Sequence, residues 1–441
     1  MNFLLVNPWI YDFAAYDFWL KPIGLLYISS VLKSKGHNVY LIDTLDRYNK
    51  KMENSYDPKE KHYGTGKFHT VNVEKPDVLK DIPRKFKRYG MDEQIFEDYL
   101  KYYKDEKIDA ILLTSTMTYW YYGVYKTIEK IREIFPETPL FLGGIYTKIY
   151  KEHAENTFKP LNVRVVPGDA NESLKEVFAY FGKSYEYTDW FNKFSPDYSH
   201  YDKLKYSVFT TSIGCPYKCT YCFTPIMWKY IYRNTDSIIK MLKENIEKFN
   251  TENIVFFDDA FLLHPDLENL LEKLSELKVK FHLPNGIHAH RVNDKIAFLL
   301  KKADFRVIKL GYESSDPEMQ KKTGGKVTNS DLINAVNNFK KYDFDLRDIG
   351  AYVISNLPGQ KIEDLYNAVD FCTDLGIEIN INEFTPIPGT KDYEKLIKNN
   401  VFNDDTDPLL LNNTIIPYWW KEGLSADDLD KVKRYLKLKR R

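Results

Sequence analysis

The sequence predicts an α/β protein built from two successive sets of alternating strands and helices. Short apolar runs alternate with amphipathic helical patterns over residues 1–180, and the alternation resumes with six strand patterns over residues 205–395. The chain of 441 residues is long enough for two or three domains. The first set predicts a doubly wound, Rossmann-like parallel sheet, and the second predicts a partial (βα)6 barrel.

The N-terminal domain is expected to span residues 1–180. A helix that begins at a proline follows its first apolar run, and the strand–helix unit then repeats. Its predicted strands are residues 3–6, 39–43, 110–115, 139–144 and 163–169, and its predicted helices are residues 22–33 and about 123–134.

A polar insertion at about 47–108 interrupts this domain, and we expect it to form a lid or a substrate-shaping element. Residues 83–90 within it are basic with aromatic residues between the charges. This pattern favours a solvated helix over a surface for an anionic substrate.

A linker at 181–204 is expected to lead into the barrel at 205–395. The barrel strands are predicted at residues 206–211, 253–259, 280–286, 306–315, 346–359 and 379–389. A C-terminal appendix at 396–441 should end in a basic helix that Ser425 caps. Ligand sites of such folds lie at the carboxyl ends of the strands.

Three cysteines follow the first predicted barrel strand. Cys215, Cys219 and Cys222 have the spacing C-x3-C-x2-C. Three thiolates can hold three irons of a [4Fe–4S] cluster and leave the fourth iron open. A structural zinc site is the alternative, but no second Cys/His pair follows at the usual distance. The remaining cysteine, Cys372, lies in an amphipathic helical pattern and is expected in the core.

The cysteine run resembles the motif of the radical S-adenosylmethionine (SAM) superfamily. The resemblance implies that SAM chelates the open iron and is cleaved reductively to methionine and a 5′-deoxyadenosyl radical. Strand ends over about 190 residues resemble further landmarks of that superfamily. The SAM-binding residues that this implies are Tyr221, with its backbone at the adenine, Asp258 or Asp259 at the amino group, Glu313, and Arg291 at the carboxylate.

The N-terminal domain resembles the cobalamin-binding domain that precedes many radical SAM cores. The matching segments are residues 21–26, 36–39, 142–144 and 167–169. The chain lacks the Asp-x-His-x-x-Gly motif that supplies an axial histidine, so the resemblance implies a base-off corrin. The implied contacts are Ser115, Thr116, Trp120, Gly143 and Gly144. An aromatic loop that packs on the second domain is the alternative for the segment around Trp120.

Composition excludes several classes of function. Lysine plus arginine and aspartate plus glutamate both number 63, so no overall basic field predicts nucleic-acid binding. We find no run of eighteen apolar residues and no signal peptide, so no membrane span is expected. Free thiols and an oxygen-sensitive cluster suit the cytoplasm.

These features predict an enzyme that cleaves SAM at a [4Fe–4S] cluster and uses cobalamin to C-methylate an unactivated carbon. It would need a reductant such as flavodoxin or ferredoxin. One alternative is a cobalamin-free radical SAM rearrangement, cyclisation or oxidation, and another is a metal-stapled binding protein without catalysis. The sequence names neither the substrate nor a catalytic residue.

Overall fold

A computed structural model describes residues 1–186 and 189–440. The chain divides into two compact units. The first comprises Met1–Val208 with Glu247–Thr251, and the second comprises Phe209–Ile246 with Glu252–Arg441.

The first unit contains a five-stranded parallel sheet with helices packed against it. Its strands are β1 (Asn2–Asn7), β2 (Ile10–Asp12), β3 (Asn38–Asp43), β4 (Thr70–Asn72), β5 (Lys87–Tyr89), β6 (Ala110–Leu113), β7 (Leu140–Leu142) and β8 (Val163–Val165). Its helices are α1 (Ile23–Ser34), α2 (Glu93–Lys104), α3 (Tyr121–Ile134), α4 (Ile145–Ile149), α5 (Lys151–Phe158), α6 (Ala170–Tyr180) and α7 (Trp190–Lys193).

The strand order β3-β1-β6-β7-β8 creates a topological switch point between β1 and β6. The chain leaves β1 towards β3 on one side and returns through β6 on the other. Ligands of doubly wound sheets bind outside the carboxyl ends of the strands at such a point. The predicted doubly wound sheet is thereby confirmed. The segments that follow Asn7 and Leu113 lie at the switch point and are the expected ligand-binding segments of this sheet.

The insertion contributes β4 and β5 to a small antiparallel sheet with strand order β2-β5-β4, and α2 follows. The predicted helix at 83–90 is wrong, because residues 87–89 of that segment form β5, the central strand. β5 pairs with β2 on one side and with β4 on the other. Arg88 is buried against the ring of Trp9 and pairs with Glu93. Tertiary pairing therefore overrides the local charge pattern.

The second unit is an open barrel whose strands alternate with helices. Its strands are β9 (Ser207–Phe209, which spans the boundary between the units), β10 (Ser212–Ile213), β11 (Ile231–Tyr232), β12 (Asn253–Phe256), β13 (Lys280–His288), β14 (Phe305–Glu313), β15 (Ile349–Ser355) and β16 (Glu378–Glu383). Its helices are α8 (Thr224–Met227), α9 (Thr235–Phe249), α10 (Leu267–Leu274), α11 (Asp294–Lys302), α12 (Pro317–Lys322), α13 (Asn329–Lys341), α14 (Ile362–Asp374), α15 (Lys391–Lys398), α16 (Ile416–Trp419) and α17 (Ala426–Lys439).

The six-stranded sheet has the order β16-β15-β14-β13-β12-β9, in agreement with the predicted partial (βα)6 barrel. Along β14, Ile308, Leu310 and Tyr312 belong to the core between sheet and helices. Because side chains alternate between the two faces of a strand, Lys309 and Glu313 lie on the opposite, inner face. The strand therefore delivers Glu313 to the carboxyl end of the barrel interior.

The C-terminal appendix ends in α17, which begins with the expected cap. The Ser425 hydroxyl accepts from the backbone of Asp428, and the Asp428 carboxylate accepts from the backbone of Ser425. α17 packs on α14, where the Tyr435 hydroxyl donates to Asp370 at 2.8 Å. Among the helices within residues 1–186 and 189–440, none is long and apolar enough to cross a membrane.

Candidate active site

The loop between β10 and α8 gathers the three cysteines predicted to bind metal. Cys219 is buried, and Cys215 and Cys222 are half-buried. Burial raises the pKa of all three thiols, that of Cys215 to about 11, and the neighbouring thiols raise the pKa of Cys215 and Cys219 further. Buried thiols of this kind become thiolates when a metal supplies compensating positive charge.

A cluster of irons needs a different donor arrangement from a single ion, because each thiolate binds its own iron. Within the described ranges, no three His, Cys, Asp or Glu side chains surround a point that could hold a single metal ion. The three thiols are free, and one loop carries all of them. This donor set fits a [4Fe–4S] cluster with one iron left without a protein ligand.

The two aspartates after β12 accept hydrogen bonds from the cysteine loop and from the segment that precedes it. Asp258 is fully buried and accepts hydrogen bonds from the backbone N–H groups and the hydroxyls of Thr211 and Ser212. Asp259 accepts from the Gly214 N–H at 3.2 Å and from the Thr224 hydroxyl at 3.5 Å. Asp258 thus fixes the segment that enters the loop, and Asp259 touches the two ends of the loop beside the cysteines.

Burial raises the pKa of both carboxyl groups, that of Asp259 to about 6. The Asp259 charge also raises the pKa of Cys222, which shows that the two groups are close. The sequence predicted that one of the two aspartates contacts the SAM amino group. Since four donors already surround Asp258, Asp259 is the member of the pair with capacity for a ligand.

Glu313, at the carboxyl end of β14, forms an ion pair with Lys326. The Lys326 Nζ lies 3.2 Å from the Glu313 Oε1, and both side chains are 13% exposed. Glu313 adopts a left-handed backbone conformation with φ of 68°. Such a conformation is rare outside glycine and costs about 1 kcal/mol or more, and functional sites often contain it.

Lys326 is a residue that the sequence analysis missed. Burial acts to lower its pKa, but the charges of Glu313, Cys219 and Cys222 outweigh burial and raise it. Lys326 follows two glycines, and a Cβ on Gly324 would lie 3.2 Å from the Cys219 Cα. This Gly-Gly pair, which lets the segment approach the cysteine loop, was the available signal in the sequence.

Tyr221 joins the same group of side chains. Its hydroxyl forms a hydrogen bond with Glu313, and burial raises its pKa well above the ordinary value. Its ring packs against an apolar cluster that includes Leu357, Phe384 and Trp420. The C-terminal appendix therefore contributes Trp420 to the surroundings of the cysteine loop.

A histidine–tyrosine group also contacts the cysteine loop. The Tyr217 ring stacks on the His288 ring with centroids 4.8 Å apart, and its hydroxyl lies 2.9 Å from the His290 Nε2. The His288 Nε2 lies 3.9 Å from the Cys215 Sγ. Arg291 follows on the same turn, but it is exposed and lines a surface groove with Asp266 and Glu268.

In the first unit, the candidate corrin contacts mainly fix one another. The Ser115 hydroxyl donates to the Gly143 carbonyl at 2.8 Å. Gly144 has φ of 100°, and a Cβ there would lie 2.2 Å from the Ser115 carbonyl oxygen, so only glycine fits. The Trp120 Nε1 donates to Asp12 at 2.6 Å. Thr116 and Trp120 also line a cleft at the β1–β6 switch point.

A second cleft lies between α1, α6 and the carboxyl ends of β6 to β8. Small and apolar residues line most of it, among them Gly24, Gly143, Val166 and Gly168. A Cβ at Gly24 would have no neighbour within 4 Å, so a bound group can approach the backbone closely there. The site residues thus form two sets, one in each unit.

Known proteins share these features. Residues 209–372 match the model of the Radical SAM superfamily. The second unit contains a radical SAM domain. The match includes the cysteine loop, Glu313 and Lys326, which confirms the resemblance seen in the sequence.

Curated relatives match over part of the chain. A protein described as an uncharacterized methyltransferase of Pyrococcus horikoshii is 25% identical over 240 residues, which are 53% of this chain and 48% of that protein. An uncharacterized protein of Methanocaldococcus jannaschii is 27% identical over 203 residues, 40% of each chain. The chain thus matches about half of the length of the first relative and less of the second.

Solved structures share the two-part architecture. The radical SAM methyltransferase TsrM of Kitasatospora setae, bound to tryptophan and a SAM analogue, has a TM-score of 0.66 and 14% identity, over 90% of this chain and 76% of that one. The cobalamin-dependent radical SAM enzyme OxsB has a TM-score of 0.57 and 15% identity, over 99% of this chain and 61% of that one. At these identities the likeness shows the fold.

Proposed function

We propose that this protein is a cobalamin-dependent radical SAM enzyme that methylates an unactivated carbon. We also propose that the protein acts in the cytoplasm and receives electrons from a reductant such as flavodoxin or ferredoxin. The observation that carries its SAM-cleaving part is that three buried or half-buried thiols lie beside the Glu313–Lys326 ion pair at the carboxyl end of the radical SAM barrel. When bound, the cluster supplies the electron that cleaves SAM, and cobalamin carries the methyl group.

The cysteine loop provides the ligands, and the residues around it stabilise their charge. Three thiolates in a half-buried loop are unfavourable without positive charge nearby. Lys326 places an ammonium close enough to all three cysteines to act against the burial-driven rise in their pKa values. The loop can therefore hold thiolates once iron is present, and Asp258 keeps the preceding backbone in place.

The ion pair provides two charges that suit the amino-acid end of SAM. That end carries an ammonium and a carboxylate, and Glu313 and Lys326 carry the complementary charges. Both side chains are largely buried, so their hydrogen bonds to a bound zwitterion would be charge-assisted and weakly screened. Asp259 offers a second carboxylate on the same side as Cys222. These residues bind and orient SAM in the proposal.

The cobalamin part of the proposal rests on the first unit. The clefts at its carboxyl edge are lined by Thr116 and Trp120 in one case and by Gly143, Gly144 and Gly168 in the other. TsrM and OxsB, which share the fold, have been described with cobalamin bound. Ser115 and Trp120 already donate hydrogen bonds to protein acceptors. In the proposal the first unit therefore recognises cobalamin by the shape of its clefts and not by side-chain ligands.

Titration with hydroxocobalamin tests this part separately. Ala170 lines the cleft between α1 and α6, so Ala170→Trp should obstruct it and weaken binding by at least about tenfold. Ala179→Trp, at an exposed position of the same helix, is the matched control and should bind like the wild type. A wild-type protein that gives no spectral change, yet cleaves SAM, would favour the cobalamin-free alternative.

A further inference from the structure

His288 is a buried histidine in contact with a cysteine predicted to bind the cluster. It is the last residue of β13 and is 1% exposed. Its Nε2 lies 3.9 Å from the Cys215 Sγ, a long but usable distance for a hydrogen bond to sulfur. The stacked Tyr217 ring, which belongs to the cysteine loop itself, holds the imidazole in this orientation.

The surroundings of the ring favour one tautomer. Among the residues that the structure describes, none forms a hydrogen bond with the His288 Nδ1. A hydrogen on Nδ1 would be buried without an acceptor. The Nε2 lone pair would then face the Cys215 sulfur, which as a thiolate has no hydrogen to donate. A hydrogen on Nε2 avoids both costs, because it points at the Cys215 sulfur.

We propose that His288 is a positioning residue for Cys215, that its Nε2–H donates to the thiolate, and that this hydrogen bond raises the reduction potential of the cluster. The proposal rests on the [4Fe–4S] cluster of the proposed function. The Tyr217 N–H already donates to the same sulfur, so His288 would supply a second donor to a single ligand.

The expected direction follows from charge. Reduction adds one electron to the cluster, and part of the added negative charge falls on the thiolate sulfurs. A hydrogen bond to such a sulfur is therefore stronger in the reduced state, and this difference favours reduction. Hydrogen bonds to the sulfurs are among the known determinants of cluster potential.

Three variants separate this role from a purely structural one. His288→Phe keeps a ring for stacking on Tyr217 but removes the donor. His288→Gln restores an N–H at nearly the same reach. His290→Phe is the matched control, because His290 contacts the Tyr217 hydroxyl and is not bonded to Cys215.

The experiment is an EPR-monitored redox titration of the reconstituted cluster without SAM. In His288→Phe, the ratio of reduced to oxidised cluster at a fixed potential should fall about tenfold, equivalent to about 59 mV for a one-electron couple. His288→Gln should recover most of the shift, and His290→Phe should match the wild type. An unchanged midpoint in a fully loaded His288→Phe protein would overturn the inference, whereas a wild type that binds no cluster would overturn the proposed function as well.

A second measurement uses the wild type alone, in case His288→Phe does not load a cluster. Pulsed EPR of the reduced cluster in protein carrying ¹⁵N-histidine should show a weak nitrogen coupling through the hydrogen bond. The absence of any histidine coupling would overturn the inference. A coupling large enough for direct iron–nitrogen coordination would overturn it too, because His288 would then be a ligand.

Discussion

The carboxyl edges of the two sheets use buried charge in different ways. In the first unit, charged groups pair with one another: Lys21 lies 3.4 Å from Asp46 and 3.8 Å above the Tyr201 ring, and the Tyr201 hydroxyl donates to Asp43. In the second unit, Glu313 and Lys326 meet three thiols that remain free. Ion pairs occur at both edges, so the difference lies in their neighbours: the second unit places its ion pair beside thiols that can bind metal, and all four cysteines of the chain belong to that unit.

The same contrast extends to the neighbouring clefts. Glycines and apolar side chains form most of the wall of the first unit's cleft between α1 and α6. Such a wall recognises a ligand mainly by its shape. The second unit instead places a carboxylate, an ammonium and thiols together, which recognise charge and metal. A charged, iron-bound cofactor therefore suits the second edge, and a large cofactor held mainly by packing suits the first.

The largest expected effect concerns the cysteines. Replacing Cys215, Cys219 or Cys222 with Ala should abolish iron binding and the formation of 5′-deoxyadenosine, because two thiolates do not hold the cluster. Cys372→Ala, in the core of the same unit, is the control and should keep both properties. Iron content and product analysis after anaerobic reconstitution check this. SAM cleavage by any of the three variants would refute the assignment.

The two adjacent aspartates should separate in their effects. Asp258→Ala leaves four buried donors without an acceptor and should lower the free energy of unfolding by about 3–5 kcal/mol, with loss of cluster loading. Asp259→Ala should cost less stability and mainly weaken SAM binding. Denaturant titration and equilibrium SAM binding measure the two effects. Equal losses of stability in both variants would contradict the division of roles.

A buried carboxylate in the first unit should behave as a purely structural charge. Burial acts to raise the pKa of Asp197, but hydrogen bonds from His200 and from Lys33, 2.7 Å away, outweigh it and lower the pKa. The folded pKa is below the unfolded one, so this stabilisation is present above about pH 4 and is lost as the pH falls further.

Asp197→Asn should therefore lower the free energy of unfolding by about 2–3 kcal/mol at pH 7. The difference from the wild type should shrink in acid. Asp202→Asn removes an exposed pair with Lys50 and should leave stability unchanged. Denaturation curves of the three proteins between about pH 3 and pH 7, a range that includes the ordinary pKa of a carboxyl group, measure this difference. A difference that does not vary with pH would reject the electrostatic explanation.

The smallest expected effect is on SAM affinity. Lys326→Met should raise the dissociation constant for SAM about tenfold, or about 1.4 kcal/mol, without loss of iron. Lys322→Met, at an exposed position shortly before it, is the matched control. Equilibrium binding to the loaded protein measures both. Wild-type affinity in Lys326→Met would remove Lys326 from the proposed SAM site.

The sequence predicted features that local patterns encode. Apolar runs located the strands of both sheets, and the cysteine spacing located the loop that carries the three thiols. Lys326 and His288 were not predicted as site residues, because they reach that loop from the segment after α12 and from the end of β13. Only the folded chain brings them to Cys219 and Cys215. β5 was missed for the same reason, since its partners lie far away in the sequence.

The most direct test of the central claim is EPR spectroscopy of the anaerobically reconstituted, reduced protein before and after SAM is added. Three cysteine ligands and one open iron predict a [4Fe–4S] signal whose g values change when SAM binds, and Lys326→Met should need more SAM for the same change. A protein without a cluster signal, or with a signal that excess SAM leaves unaltered, would contradict the account.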